Sequence, residues 1–239
     1  MESVTYYLSN RNRAEQFEQT FECFFQDKLL YEPFNVVKAG SGISIPIILD
    51  SSPHAIRIGQ WGFMQDPEPV DGYSKSLKGE ISKLDVVLGR GLVKEADGRC
   101  LVLADGLFAY NGIVDTGIPY YLYHDDYLPF GIPGYYKYHG EDFYSVCIVV
   151  DPNWSPFFSN RFSCKNGLPA VLEKELEMKW LKRDLSTDSI RNLLSLKTSN
   201  PFTAHSITKS FSDIEYENYN VLNPVTYPDT LREVSSRII

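Results

Sequence analysis

The segment RCLVLADGLFAYN, residues 99–111, constrains the fold of this chain more than any other. An apolar run at residues 100–103 is followed by Asp105-Gly106, a typical turn pair, and then by a second run at residues 107–110 that is apolar and aromatic. Short apolar runs bounded by turn residues are typical of buried strands. The segment therefore predicts a β-hairpin in the core of a domain rich in β structure.

Further apolar runs of similar length predict more strands, at residues 43–48, 56–64, 119–123, 144–150 and 168–172. Pro46 interrupts the first of them and favours a position at a sheet edge or bulge, because proline cannot donate to a ladder. Val86-Val87-Leu88 predicts one more short strand.

Helical periodicity is found on both sides of these runs. Residues 14–30 carry four phenylalanines at helix spacing after a possible cap at Ser9 or Asn10, and these are Phe17, Phe21, Phe24 and Phe25. LEKELEMKWLKR predicts a later helix, and Ser186-Thr187 begins another. The predicted fold is α+β, with a curled, largely antiparallel sheet or distorted barrel and helices near both ends.

Length and composition suit one domain over residues 1–239, in which residues 214–239 form a polar, acidic C-terminal tail. No apolar run is long enough to cross a bilayer, and no secretory signal is visible, so we expect a cytoplasmic protein without a membrane partner. Cys23, Cys100, Cys147 and Cys164 lack CxxC spacing and are expected to be buried thiols. The net charge of −8 lowers the expectation of nucleic-acid binding, which normally uses a surplus of Lys and Arg.

The segment at 99–111 resembles the signature of the SOS-response-associated peptidase (SRAP) family, which reads approximately RCL-x-P-A-[DN]-G-[FY]-[FY]-E-W. Other segments resemble family motifs in the same order along residues 4–213. They are PFNVVKAGSGISIPII, IGQWGFM, PYYLY, FGIPGYYKY, YSVCIVVDPNWSPFF, LPAVLEKELEMKWL and AHSITKSFSD.

The resemblance implies the SRAP fold and a role in the DNA-damage response. Family members recognise abasic sites in single-stranded DNA, and an N-terminal cysteine closes a stable ring on the sugar aldehyde through its thiolate and α-amine. An asparagine, a glutamate and a histidine position the sugar and move protons.

The family positions for these groups carry other residue types here. Thr5 stands at the nucleophile and follows MESV, Ala109 at the glutamate, and Phe162 at the histidine. The asparagine falls near Ser82, where Lys83-Leu84 follow and the family arginine is absent. We therefore expect no catalytic residues and a catalytically degenerate homologue, a pseudoenzyme.

Four residues are candidates for contact with DNA. Trp61 can stack on a base, at about 1–3 kcal/mol per base, or can be a core tryptophan. Asn35 can contact a phosphate or stabilise a turn. Arg99 and Arg161 can contact the sugar-phosphate backbone of a DNA strand. Arg99 can equally be a solvated residue at the end of a β-strand.

Other chemistry receives weaker support from the residue pattern. Cys164 lies beside Arg161 and Lys165, which would lower the pKa of a reactive thiol, although an inert loop thiol is the simpler interpretation. His124-Asp125-Asp126 brings an imidazole near carboxylates, but we expect no metal and no cofactor.

Two hypotheses from different classes follow. The first is an SRAP-like protein that binds single-stranded or abasic DNA without covalent crosslinking. The second is a module that binds a protein or small molecule in the same cleft. An enzyme with relocated catalytic residues is a third hypothesis.

Overall fold

The structure, a computed structural model, describes residues 6–64, 79–111, 117–151, 167–195, 202–212 and 219–228. Thirteen strands and four α-helices are assigned within these ranges. The strands are β1 Tyr7–Asn10, β2 Phe24–Phe25, β3 Phe34–Lys38, β4 Ser44–Leu49, β5 Ser52–Trp61, β6 Glu80–Ser82, β7 Gly98–Ala104, β8 Gly106–Asn111, β9 Ile118–His124, β10 Phe130–Tyr138, β11 Tyr144–Asp151, β12 Leu168–Pro169 and β13 Phe202–Ser206. The helices are α1 Ala14–Phe21, α2 Lys83–Leu88, α3 Lys174–Trp180 and α4 Thr187–Ser195.

The strands form two sheets, which confirms the predicted α+β class with a curled, mostly antiparallel sheet. One sheet has the order β13-β9-β8-β1-β3, and the other has the order β12-β11-β10-β7-β4-β5-β2. In the larger sheet β11 also pairs in parallel with β5, where Ser145 lies opposite Gln60 and Val146 opposite Trp61. This extra pairing closes β5, β4, β7, β10 and β11 into a distorted barrel.

The predicted hairpin at residues 99–111 is wrong, although both of its strands exist. β7 pairs with β4 and β10, whereas β8 pairs with β1 and β9. The chain bends at Asp105 and passes from the larger sheet into the smaller one instead of turning back. Asp105-Gly106 is thus a corner between two sheets. A tight turn would instead pair β7 with β8, and these strands would then not keep their present neighbours.

Three apolar clusters stabilise this arrangement. The inner cluster contains residues of both sheets, such as Leu107 and Leu122 from the smaller and Ile47 and Val102 from the larger. A second cluster packs α1, α3 and α4 against the larger sheet and includes Phe17 and Trp180. A third lies on β8 and β9 beneath the C-terminal segment. Burial of apolar area on both faces of the sheets accounts for most of the favourable free energy.

The phenylalanine-rich helix is shorter than its pattern predicts. Phe17 and Phe21 are buried in α1, but Glu22 adopts a left-handed conformation with φ 53° and ends the helix. Phe24–Phe25 then form β2, which pairs in parallel with Ala55 and Ile56 of β5. The predicted cap residues Ser9 and Asn10 belong to β1, and Arg13 occupies the N-cap position.

The C-terminal region docks on the smaller sheet over residues 219–228. Val221 and Leu222 are buried in the third cluster, and the backbone N–H of Val225 donates to the Ser206 carbonyl at 2.8 Å. The Tyr227 hydroxyl donates to the Ile207 carbonyl at 2.7 Å. Across the described ranges, none of the helices combines the length and apolar character that crossing a membrane requires.

Candidate functional site

The position of the family glutamate lies inside the inner cluster. Ala109 is on β8 opposite Tyr120 of β9, and it is only 1% exposed. Tyr6, which precedes β1, is buried in the same cluster. A methyl group in apolar surroundings can neither accept nor donate a proton, so the side chain at this position cannot take part in acid–base chemistry.

A second family position lies at the end of β11. The backbone of Ser82 pairs with Val150, and the neighbouring Lys83 forms an ion pair with Asp151, with Nζ and Oδ2 2.7 Å apart. Asp151 is buried, and the ammonium group of Lys83 balances its charge. The ion pair stabilises the junction of β6 and β11. Thr5, Phe162, Arg161 and Cys164 lie outside the described residues.

The described cysteines are poorly suited to nucleophilic chemistry. Cys23, Cys100 and Cys147 are free and buried. Burial raises the pKa of Cys100 well above its usual value and raises the pKa of Cys147 to about 12. Because the thiolate is the reactive form, these thiols stay protonated and inert at neutral pH.

Trp61, the proposed base-stacking residue, is fully buried in the inner cluster. Its indole N–H donates to the Gly79 carbonyl at 2.8 Å. No face of the ring is open to a nucleobase in this structure, so its placement corrects the stacking interpretation and matches the alternative of a core tryptophan.

Two further DNA-contact candidates, Asn35 and Arg99, are also buried or engaged. Asn35 is buried on β3. Arg99 binds the end of α3, since its Nε donates to the Trp180 carbonyl at 3.0 Å and its Nη2 to the Lys182 carbonyl at 2.5 Å. The guanidinium also lies over the Trp180 ring. Arg99 therefore caps a helix C-terminus, where a cation is favourable.

The corner at Asp105 is a polar site that the sequence did not predict. The buried carboxylate accepts hydrogen bonds from the Ser9 hydroxyl at 2.6 Å and from the backbone N–H groups of Arg11 and Asn12 at 2.5 and 2.9 Å. The Ser9 and Tyr121 hydroxyls lie 2.9 Å apart. Burial raises the pKa of Tyr121 well above its usual value, with the Asp105 charge adding to the effect.

The same corner explains Gly106. A Cβ atom there would collide with the Tyr121 ring. The close approach of the chain and the ring leaves room only for glycine. The Asp-Gly pair is therefore required by a tertiary contact, and only its turn propensity was visible in the sequence.

A stack of three tyrosines runs outward from this corner. The ring centroids of Tyr121 and Tyr123 are 5.4 Å apart, and those of Tyr123 and Tyr127 are 5.0 Å apart at an interplanar angle of 19°. Tyr127 is 59% exposed, and the guanidinium of the exposed Arg11 lies 5.1 Å from the Tyr121 ring centroid. The alternation of tyrosines in PYYLY was the sequence signal for this shared face.

The histidine motif at His124 forms an aromatic contact. Its ring lies 4.3 Å from the Phe202 ring and 5.2 Å from the Phe130 ring, and burial lowers the pKa of His124. Within the described ranges, no group of three or more His, Cys, Asp or Glu side chains is arranged to hold a metal ion.

Comparisons with known proteins identify the fold. No protein-family model and no curated protein sequence matches this chain. A crystal structure of a protein from Bacteroides thetaiotaomicron is similar, with a TM-score of 0.76 and 18% identity over 92% of this chain and 99% of that one.

Two crystal structures of proteins from Bordetella bronchiseptica are also similar. One is 13% identical over 85% of this chain and 99% of that chain, with a TM-score of 0.64. The other, described as a phage-related protein, is 15% identical over 84% of this chain and 93% of that chain, with a TM-score of 0.62. At these identities the likeness shows a shared fold alone.

Proposed function

We propose that this chain is a catalytically inactive SRAP-like protein that binds its target without a covalent bond. The observation that carries the proposal is Ala109, which places a buried methyl group where the family uses a glutamate. The motif order along residues 4–213 supports the family assignment. The free, buried thiols support a cytoplasmic setting, since reduced cysteines persist there.

A crosslinking assay tests the loss of chemistry. An oligonucleotide with one abasic site is incubated with the full chain and resolved on a denaturing gel, next to an active SRAP protein as the positive control. We expect no shifted band. A band that disappears in Thr5→Ala or Cys164→Ala would show that the chain kept a nucleophile and would overturn the proposal.

Single-stranded DNA is the first candidate ligand, and the tyrosine stack with Arg11 supports it. Stacked aromatic rings bind bases at about 1–3 kcal/mol per base, and a neighbouring guanidinium attracts phosphate. Tyr127→Ala should weaken retention on immobilised single-stranded DNA. Tyr138→Ala is the matched control, because Tyr138 is also exposed and packs on Tyr144 elsewhere.

A protein partner is the second candidate, favoured by exposed apolar side chains after α1. Leu29 is 92% exposed, and Leu30 and Phe24 are also exposed. Exposed apolar side chains of this kind are typical of interaction surfaces when they cluster. Retention on single-stranded DNA that falls with salt supports the first candidate. Flow-through even at low salt, combined with the net charge of −8, supports the second.

A further inference from the structure

A surface pocket of about 250 Å³ lies at the opposite end of β11 from Ser82. Its lining includes Leu30, Arg57, Ile58 and Tyr144. Tyr144 begins β11, whereas the Lys83–Asp151 ion pair lies at the other end of that strand. Because a strand rises about 3.3 Å per residue, the two ends are roughly 23 Å apart.

The pocket is located where β5 changes neighbours. β5 pairs with β2 at Ala55 and Ile56 and with β11 at Gln60 and Trp61. The intervening Arg57 and Ile58 line the pocket. The sheet therefore supplies one wall of the pocket, and the segment after β2 and the loop at Asp142 supply the rest.

Arg57 is positioned at this site by neighbours on two sides. Its Nε donates to the Ser52 hydroxyl at 3.3 Å, and its guanidinium carbon lies 5.5 Å from the Tyr144 ring centroid. The side chain is only 21% exposed. A guanidinium held in this way is pre-organised to bind a carboxylate.

The carboxylate that meets Arg57 in this structure is on an exposed loop. Asp142 Oδ1 lies 3.0 Å from Arg57 Nη1, and the Asp142 side chain is 70% exposed. Asp142 and Glu141 have φ values of 57° and 51°, in the left-handed region. An ion pair this exposed contributes little free energy, so another carboxylate can replace Asp142 at small cost.

We propose that this pocket binds a small monocarboxylate with a branched aliphatic body. The ligand carboxylate takes the place of Asp142 on Arg57, and the body packs against Leu30, Ile58 and Tyr144. The volume is below that of pockets for drug-sized ligands, which selects a small molecule. Asp27 also lines the pocket and repels a second carboxylate. The proposal is independent of DNA binding at the tyrosine stack, and it shares Leu30 with the exposed apolar side chains after α1.

The probes are 4-methylpentanoate, leucine and 4-methylpentanamide, titrated into the ¹⁵N-labelled full chain and followed by amide chemical shifts. We expect shifts around Arg57 and Tyr144 with 4-methylpentanoate and none with the uncharged amide. The titration with leucine distinguishes an amino-acid ligand from a simple carboxylic acid, since both carry the carboxylate that Arg57 would bind. Tighter binding of leucine indicates an amino acid, and weaker binding indicates a simple carboxylic acid.

Asp142→Asn is the deciding variant, because it removes the internal competitor and asparagine tolerates a left-handed conformation. It should tighten binding of 4-methylpentanoate roughly two- to fivefold, the usual value of an exposed ion pair. A gain in affinity cannot result from misfolding. Asp126→Asn is the matched control and should change nothing, since Asp126 is an exposed carboxylate at a different loop.

Arg57→Gln should weaken binding about tenfold or more, because it removes the charged donor. Arg90→Gln removes an arginine from another exposed ion pair, with Asp85, and serves as its control. The proposal is overturned if the amide binds as well as the acid. It is overturned equally if Asp142→Asn does not tighten binding, or if none of the acids shifts residues at the pocket.

Discussion

Asp105 and Ala109 lie close together on one stretch of chain and differ in what surrounds them. The Asp105 carboxylate is buried with acceptor bonds to Ser9, Arg11 and Asn12. Ala109 is equally buried but belongs to the apolar inner cluster. The fold thus holds a polar group whose hydrogen bonds are satisfied at the corner, and an apolar group at position 109.

The physical reason for the contrast is the high free energy of an unsatisfied buried polar group. At the corner, two backbone N–H groups need an acceptor once the chain has bent, so a carboxylate stabilises the fold itself. At position 109, a carboxylate would be desolvated in apolar surroundings and would destabilise the fold.

The largest expected change in stability comes from removing the Asp105 carboxylate at the corner between the sheets. Asp105→Ala should lower the free energy of unfolding by about 3–4 kcal/mol, because it leaves two backbone donors and the Ser9 hydroxyl without their acceptor. Urea denaturation followed by circular dichroism measures the change. Asp105→Asn keeps one carbonyl oxygen and should lose less, so an equal loss in both variants would contradict this account.

Placing a glutamate at position 109 tests the other half of the comparison. Ala109→Glu should lower the free energy of unfolding by about 2–3 kcal/mol at neutral pH, since an apolar environment disfavours the charged form and raises the pKa of a carboxyl group. The loss should shrink at acidic pH, where the glutamate is protonated. Ala109→Gln is the uncharged control, and its loss should not depend on pH.

A smaller change in stability is expected at Trp61, where a substitution tests whether this residue belongs to the core or contacts a ligand. Trp61→Phe removes the hydrogen bond to Gly79 and should cost about 1–1.5 kcal/mol, without weakening retention on single-stranded DNA. Trp180→Phe is matched, because its indole N–H also donates to a backbone carbonyl, that of Cys100 at 2.9 Å. If Trp61→Phe weakened retention on single-stranded DNA and Trp180→Phe did not, Trp61 would have to be a DNA-contact residue.

The smallest effect concerns Glu177, a buried carboxylate that forms an ion pair with Lys174. Burial raises the pKa of Glu177, while Lys174 and the Gly131 N–H oppose the rise. The folded state therefore holds this proton more tightly than the unfolded state. The stability from this group is present below the ordinary pKa of glutamate and is lost as the pH rises through the raised pKa.

Thermal unfolding over a pH series measures this contribution. Glu177→Gln should flatten the decline of stability with rising pH, whereas Glu175→Gln, on the exposed face of α3, should leave the decline unchanged. An unchanged slope in Glu177→Gln would show that the buried carboxylate has no part in the pH dependence.

Several secondary-structure elements could be predicted from the local sequence pattern, and others were determined by their neighbours in the folded structure. The strand predicted at residues 56–64 is confirmed as far as Trp61, where β5 ends, and the helix begun by Ser186-Thr187 is confirmed. Periodicity and caps act locally, so the sequence reveals them. Val86-Val87-Leu88 is wrong as a strand and belongs to α2, since short apolar runs suit either conformation. Pro46 lies in an interior strand, just beyond the pairing of β4 with β7, which begins at Ile47.

The sequence by itself determined the fold class and the residue types at the family positions, because apolar periodicity and side-chain chemistry are readable one residue at a time. Tertiary structure alone decided that Asp105 bends the chain between sheets, that Trp61 is buried, and that Arg57 lines a pocket. Each of these features depends on contacts between residues that are distant in sequence. The residues next to each position in the chain do not reveal which distant residue it will contact.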